Sequence, residues 1–292
     1  MHDGLVLWAG TLRAAALRER VEAAAQGGYA AISMSAQDYN RARAEGLSDR
    51  DIRDLLAGAG VTVRCFDPFT RWLPSWEPPA RYPAGMIEFL DVSQADFLRA
   101  AEAVGATTMT IFEPFGARWP DEVLAASLAE ISGRAADSGL RVNLEFIPFL
   151  GVPDLATAWR VVQLSGVADA GIVLDTWHYF RGTPDHDLLA RIPGDRIGAV
   201  QVSDAAATPV GDLEHDCLHH RLPAGAGSFP LGEVLDVLSA TRGLHDVGPE
   251  IFSDAFDQRS SVDNLHALAP GLQPWLEAVR RAGAGPQVVV PT

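Results

Sequence analysis

The sequence predicts an α/β protein folded as a single-domain (β/α)8 TIM barrel, and three observations lead there. Eight short apolar, β-branched runs alternate with Ala/Leu-rich amphipathic segments along the chain. The runs are predominantly apolar, as strands covered on both faces of a parallel sheet are. No glycine-rich phosphate turn follows the first run, which speaks against a doubly wound open sheet. Right-handed crossovers at a mean spacing of about 35 residues then close the units into a ring.

The elements follow in order. Leu5–Ala9 is the first strand and Thr11–Ala25 its helix; Gly27–Gly28 stands just past the helix end, where left-handed conformations are wanted. Ala31–Ser35 is the second strand. A helix over Asp49–Ala59, with Ser48 as N-cap and Gly60 at its end, leads into the third strand, Val61–Asp67. Ser93 caps a helix over Ser93–Ala103 before strand Thr107–Glu113, and Asp121–Ala136 precedes strand Arg141–Ile147. Asp154–Leu164, strand Gly171–Thr176, Asp185–Arg191 and strand Ile197–Ser203 continue the alternation. Pro230 opens a helix over Pro230–Ala240, strand Val247–Phe252 follows, and Ser261–Arg281 is the last helix. The barrel is expected over 1–284, with 285–292 a flexible tail.

Two segments interrupt this rhythm. Arg71–Val92 holds Pro74, Pro78, Pro79 and Pro83 with Trp72, Trp76 and Tyr82. It follows the third strand, so it is either a lid or substrate wall at the mouth or a packed surface loop. Asp204–Ser228 follows the seventh strand and carries His215, His219, His220 and Arg221 before a Gly225-Ala226-Gly227 turn.

Composition excludes several chemistries. All 23 basic residues are arginine; without a lysine there is no Schiff-base aldolase, no internal aldimine to pyridoxal phosphate and no P-loop lysine. A net charge of −15 opposes a nucleic-acid partner, whose binding needs clustered cations. No apolar run approaches the ~20 residues of a membrane span, and no signal peptide is visible. The two separated cysteines, Cys65 and Cys217, read as free thiols of a cytoplasmic protein.

Barrel logic places chemistry at the C-terminal ends of strands. Strand five ends in Asn143-Leu144-Glu145, strand six in Leu174-Asp175, strand seven in Val200-Gln201-Val202-Ser203-Asp204, and strand eight in Pro249-Glu250. Glu145, Asp175, Gln201 and Glu250 therefore present three carboxylates and an amide at one height. Packed together unpaired, the carboxylates repel. With no lysine in the chain and no arginine in these strand ends, one divalent cation is the natural neutraliser. Oxygen-rich ligation favours Mn²⁺ or Mg²⁺, with Co²⁺ or Zn²⁺ also accommodated. Trp8, Phe66, Phe112, Phe146, Trp177 and Phe252 lie at or near strand ends. Trp8, Phe66 and Trp177 are read as walls for a cyclic or sugar-like substrate. Phe112 reads as core filling.

These pieces resemble the xylose isomerase-like barrel superfamily, which includes sugar and cyclitol epimerases, inosose isomerases and dehydratases, 3-dehydroshikimate dehydratases and endonuclease IV. The resemblance is strongest in Asn143-Leu144-Glu145, Leu174-Asp175-Thr176-Trp177-His178, Val200 to Asp204, His220-Arg221-Leu222-Pro223 with Gly225 and Gly227, and Pro249-Glu250. It implies a metal held by Glu145, Asp175, Gln201 and Glu250, with Gln201 standing where many members have histidine and some dehydratases have glutamine. It implies that Glu145 and Glu250 face each other across the substrate as acid and base, that His178 is a further acid or substrate ligand, and that the protein is a dimer or tetramer. Arg221 is either a fork for a substrate oxygen or a loop salt bridge.

The function implied is a metal-dependent isomerase or epimerase of a hydroxy-ketone such as a ketose or inosose, working by proton abstraction α to a carbonyl. A dehydratase on the same scaffold is the alternative, and a non-catalytic barrel subunit a remote one. A nuclease is excluded by the acidic charge and the missing early-strand histidines.

Overall fold

The computed structural model describes residues 4–283; the tail expected over 285–292 lies outside them. Eight strands follow one another around a nearly closed barrel: β1 (Val6–Leu7), β2 (Ala31–Met34), β3 (Thr62–Phe69), β4 (Thr108–Ile111), β5 (Arg141–Glu145), β6 (Gly171–Asp175), β7 (Ile197–Val202) and β8 (Val247–Pro249). Every neighbouring pair in that order is parallel. β8 comes beside β1, where the Trp8 N–H donates to the Pro249 carbonyl at 3.3 Å. Gly248 is required at this seam, because a Cβ there would collide with the Val6 carbonyl oxygen.

The first helix starts at Leu17, later than the periodicity predicts. Ala9–Leu12 instead forms a short 3-10 turn, and Thr11 is spent on closure: its hydroxyl donates to the Pro249 carbonyl at 2.8 Å and accepts from the Ile251 N–H at 3.1 Å. Five short helices were not foreseen, over Ala36–Ala44, Ala84–Leu90, Thr176–Arg181, Leu213–His219 and Asp254–Asp257. Three of them begin on a side-chain cap, from Ser35, Asp175 and Asp212. Ser35 and Asp38 form a reciprocal capping box. Asp38 also takes both terminal nitrogens of the buried Arg20 at 2.8 and 3.0 Å, tying the first helix to the second. Burial works against the Asp38 carboxylate, but the hydrogen bond and charge of Arg20 outweigh it and hold the carboxyl below its ordinary range.

The core has two compartments. Inside the barrel Val6, Trp8, Ala31, Cys65, Val173 and Ala199 pack together. The larger apolar layer lies between the sheet and the surrounding helices. The segment after β3 is anchored across the end of β4: Trp72 Nε1 donates to the Phe112 carbonyl at 2.9 Å, Tyr82 Oη to the Pro114 carbonyl at 3.2 Å, and Trp76 packs edge-on to Phe115. Among the described residues no helix is long and apolar enough to cross a membrane.

Candidate active site

Strand register decides which side chains enter the mouth. Val173 and Ala199 belong to the interior compartment, and side chains alternate along a strand. Glu145 is the register partner of Val173, so it also points inward. Asp175 stands two residues past Val173, Gln201 two past Ala199, and the two are partners across β6 and β7. Gly248 partners Gln201 on β8, and Glu250 lies two residues beyond it. All four predicted strand-end residues are thus buried on the inner side of four successive strands.

Within this group Glu145, Asp175 and His178 bring one ligand atom each to within 4.8 Å of one another. His178 Nε2 is 3.4 Å from Glu145 Oε1 and 3.7 Å from Asp175 Oδ2. Asp175 holds His178 there through the backbone, because its Oδ1 caps the helix Thr176–Arg181 by accepting from the N–H groups of Trp177 (2.6 Å) and His178 (3.1 Å). Glu250 lies outside this tight trio.

The structure corrects the electrostatic argument made from strand ends alone. A positive charge does reach the carboxylates, delivered by Arg221 from the loop after β7. Its guanidinium is buried, with Nη1 2.6 Å from Asp175 Oδ2 and 3.6 Å from Glu250 Oε2. Nε donates to the Cys217 carbonyl at 3.0 Å, and the group lies between the rings of Trp177 and Phe252, at 5.5 and 4.9 Å from their centroids. Nη2 lies 3.5 Å from His178 Nε2. Arg221 is therefore a buried ion-pair partner, and Asp175 and Cys217 take most of its fork.

Two carboxylates position that loop. Asp204 accepts from the N–H groups of Ala205, Gly225, Gly227 and Phe229 at 2.8–3.1 Å, and its backbone pairs with Leu222. Gly227 must be glycine, because a Cβ would collide with Asp204 and the Ala205 carbonyl. Asp216 takes Trp177 Nε1 at 3.2 Å, Arg181 Nε at 2.9 Å and the Val210 N–H at 2.8 Å.

Charges and burial split the acids. Burial pushes Asp175 up, but the Arg221 and His178 charges prevail and hold it below its usual range. Burial raises Glu250 well above the ordinary carboxylate range; Arg221 opposes this, while Asp175, Glu145 and Asp67 add to it. Asp67, on the inward side of β3 two residues beyond Cys65, is pushed up to about 8 by burial and then by the Glu145 charge. Its Oδ1 has no hydrogen-bond partner among the described residues. Sequence reasoning passed over Asp67, although a polar residue at the end of an apolar run was signal enough.

The aromatic residues behave differently from the expectation. Phe66 faces outward against Phe97, ring centroids 4.9 Å apart, because its neighbour Cys65 takes the inward position. It belongs to the helix-facing layer and not to the mouth. Trp8 and Trp177 are on the site side but fully buried. Trp8 fills the barrel interior, and Trp177 backs His178 and Arg221 as a packing wall.

The donor set suits a divalent ion. Gln201 Oε1 is buried and has no hydrogen-bond partner among the described residues, a lack that a bound cation would satisfy. Glu145, Asp175 and His178 supply two carboxylates and an imidazole beside it. Residues 21–279 match the family described as Xylose isomerase-like TIM barrel. The chain belongs to that family. It is 28% identical over 259 residues to a 3-dehydroshikimate dehydratase of Pseudomonas aeruginosa, covering 86% of this chain and 39% of that protein. It spans about two fifths of that relative's length. An inosose isomerase of Halalkalibacterium halodurans is 28% identical over 140 residues, 47% of this chain and 49% of the relative. Among solved folds, the IOLI protein with a bound zinc atom superposes with a TM-score of 0.80 at 16% identity, covering 96% of this chain and 99% of its own. The two curated relatives are named as a dehydratase and an isomerase.

Proposed function

We propose that this xylose isomerase-like barrel is a divalent-metal-dependent isomerase or epimerase of a hydroxy-ketone, a ketose, inosose or related cyclic polyol. The observation that supports it most is the orphaned Gln201 Oε1, buried in register with Asp175 and beside the Glu145–Asp175–His178 trio. Glu145, Asp175, Gln201 and Glu250 would hold the ion, Mn²⁺ or Mg²⁺ by the oxygen-rich donors, and His178 is the alternative nitrogen ligand. The ion supplies Lewis-acid polarisation of a carbonyl and its neighbouring hydroxyl.

The remaining work falls to the chain. Glu145 removes the proton α to the carbonyl, and Glu250, directly after β8, returns one from the opposite side. Arg221 bridges Asp175 and Glu250 and lies beside His178, so it fixes the acids in place while His178 orients a substrate oxygen at their rim. Trp8 and Trp177 close the site from below and behind, excluding water. Cys65 and Cys217, both buried free thiols, support a reducing, cytoplasmic setting.

A second reading is favoured by the dehydratase relative, whose similarity extends over 86% of this chain. There the enolate expels a β-hydroxyl with His178 as the acid. The test is incubation with Mn²⁺ in D₂O, with an inosose and a ketohexose in one arm and 3-dehydroshikimate in the other. Deuterium entering at the α-carbon without loss of water supports the first reading. A rise in ultraviolet absorbance from dihydroxybenzoate replaces it by the second, and failure of the protein to bind an ion supports a non-catalytic barrel.

A further inference from the structure

Outside the inner acids, the loop after β7 carries a second group of metal-ligating side chains that the proposed reaction does not use. His215 lies in the first turn of the helix Leu213–His219, and His220 directly follows that helix. Their Nε2 atoms are 3.1 Å apart. At metal–imidazole bond lengths of about 2.0–2.1 Å, two nitrogens on one ion are roughly 2.9 Å apart at a right angle and roughly 3.3 Å apart at the tetrahedral angle. The observed separation falls between these two values.

The backbone that carries each ring is fixed before any ion arrives. The His215 N–H donates to the capping Asp212 Oδ1 at 2.8 Å. The His220 N–H donates to the Asp216 carbonyl at 3.0 Å, and its backbone bridges to Ser253 on the segment after β8. The His219 ring also lies near His215, with centroids 4.8 Å apart, but its Nδ1 is engaged 2.8 Å from Asp254 Oδ1, a carboxylate that also pairs with Arg13. The pair is solvent-accessible, so water can fill the remaining coordination positions.

We propose that His215 and His220 form a two-imidazole chelating site for one borderline transition-metal ion such as Ni²⁺, Zn²⁺ or Cu²⁺ on the barrel rim, separate from the inner acidic site. Imidazole pairs favour these ions over Mg²⁺ and Ca²⁺, which prefer all-oxygen shells. Coordination needs both rings as Nδ1–H tautomers, with each Nε2 lone pair on the ion. An ion there ties the helix Leu213–His219 to His220, which is joined to the buried Arg221 through one peptide bond.

Retention of the untagged full-length chain on a resin bearing immobilised Ni²⁺ tests this, because an ion fixed to a matrix reaches the rim and not the buried Glu145–Asp175–His178 trio. The wild-type chain is expected to be retained, and His215→Ala and His220→Ala each to elute without retention. His215→Gln, which also removes the imidazole, gives the same answer should the alanine disturb the helix; unchanged far-ultraviolet circular dichroism confirms the fold. A wild-type chain that passes through unretained, or either single variant retained as strongly as wild type, overturns the site.

Discussion

Arg221 Nη1 donates to Asp175 Oδ2 at 2.6 Å, between two buried side chains carried by different segments of the barrel. Asp175 uses its other oxygen to start the helix that bears His178. One carboxylate therefore fixes both the imidazole and the guanidinium at the mouth, and its neighbours inherit their geometry from it.

Replacing Arg221 tests the energetic side of this pair. Arg221→Ala leaves Asp175 buried and uncompensated, at a cost of about 3–5 kcal/mol. Arg221→Lys keeps the charge but loses the contact of Nε with the Cys217 carbonyl, and falls between the variant and wild type. Urea unfolding midpoints of the three proteins give the order.

Gln201 should tune ion choice without holding up the fold. Gln201→Leu removes the orphaned oxygen and weakens Mn²⁺ binding by about tenfold or more, with the unfolding midpoint kept or raised, since a buried unsatisfied polar atom is lost. Gln201→His shifts preference towards Zn²⁺ relative to Mn²⁺. Equilibrium dialysis with each ion measures both.

Asp38 predicts an acid-sensitive stability increment away from the site. Its carboxyl is held below its ordinary value in the folded protein by Arg20, against the opposing effect of burial. The stabilisation is therefore complete above the unfolded value of about 3.9 and is lost as pH falls through the lower folded value. Asp38→Asn is less stable than wild type at pH 7, and the gap narrows as pH falls from about 4 towards 2 in urea titrations.

Phe66 separates core from site. Phe66→Ala should cost about 3–5 kcal/mol, because it opens a cavity against Phe97 and Met109 in the helix-facing layer. At a temperature where the variant remains folded, its KM should match wild type. A large rise in KM with an unchanged unfolding midpoint would return Phe66 to the mouth.

The fold was legible because eight apolar runs and their helices are periodic signals read locally, and the strand-end acids could be found by counting from each run. What escaped depended on contacts distant in sequence. Arg221 stood in the sequence as a loop residue, but its insertion beside Asp175 follows from Asp204 and Asp216 gathering backbone and side chains from several segments. Phe66 went astray through face assignment: within a strand, a one-residue shift exchanges inside and outside, and it is Cys65 and Asp67 that point inward. The short helices after Ser35 and Asp212 carried cap signals, yet they have too few turns for an apolar period to stand out.

The most direct test of the central claim is exchange of the α-proton of an inosose or ketohexose with D₂O, followed by proton NMR, for Mn²⁺-supplemented wild type and Glu145→Gln. Removal of a positioned general base lowers rates by about 10²–10⁴-fold. With Glu145 as the base, the wild type exchanges the proton and Glu145→Gln loses a factor of that size with the fold intact. Full exchange by Glu145→Gln, or none by the wild type on either compound, would contradict that role.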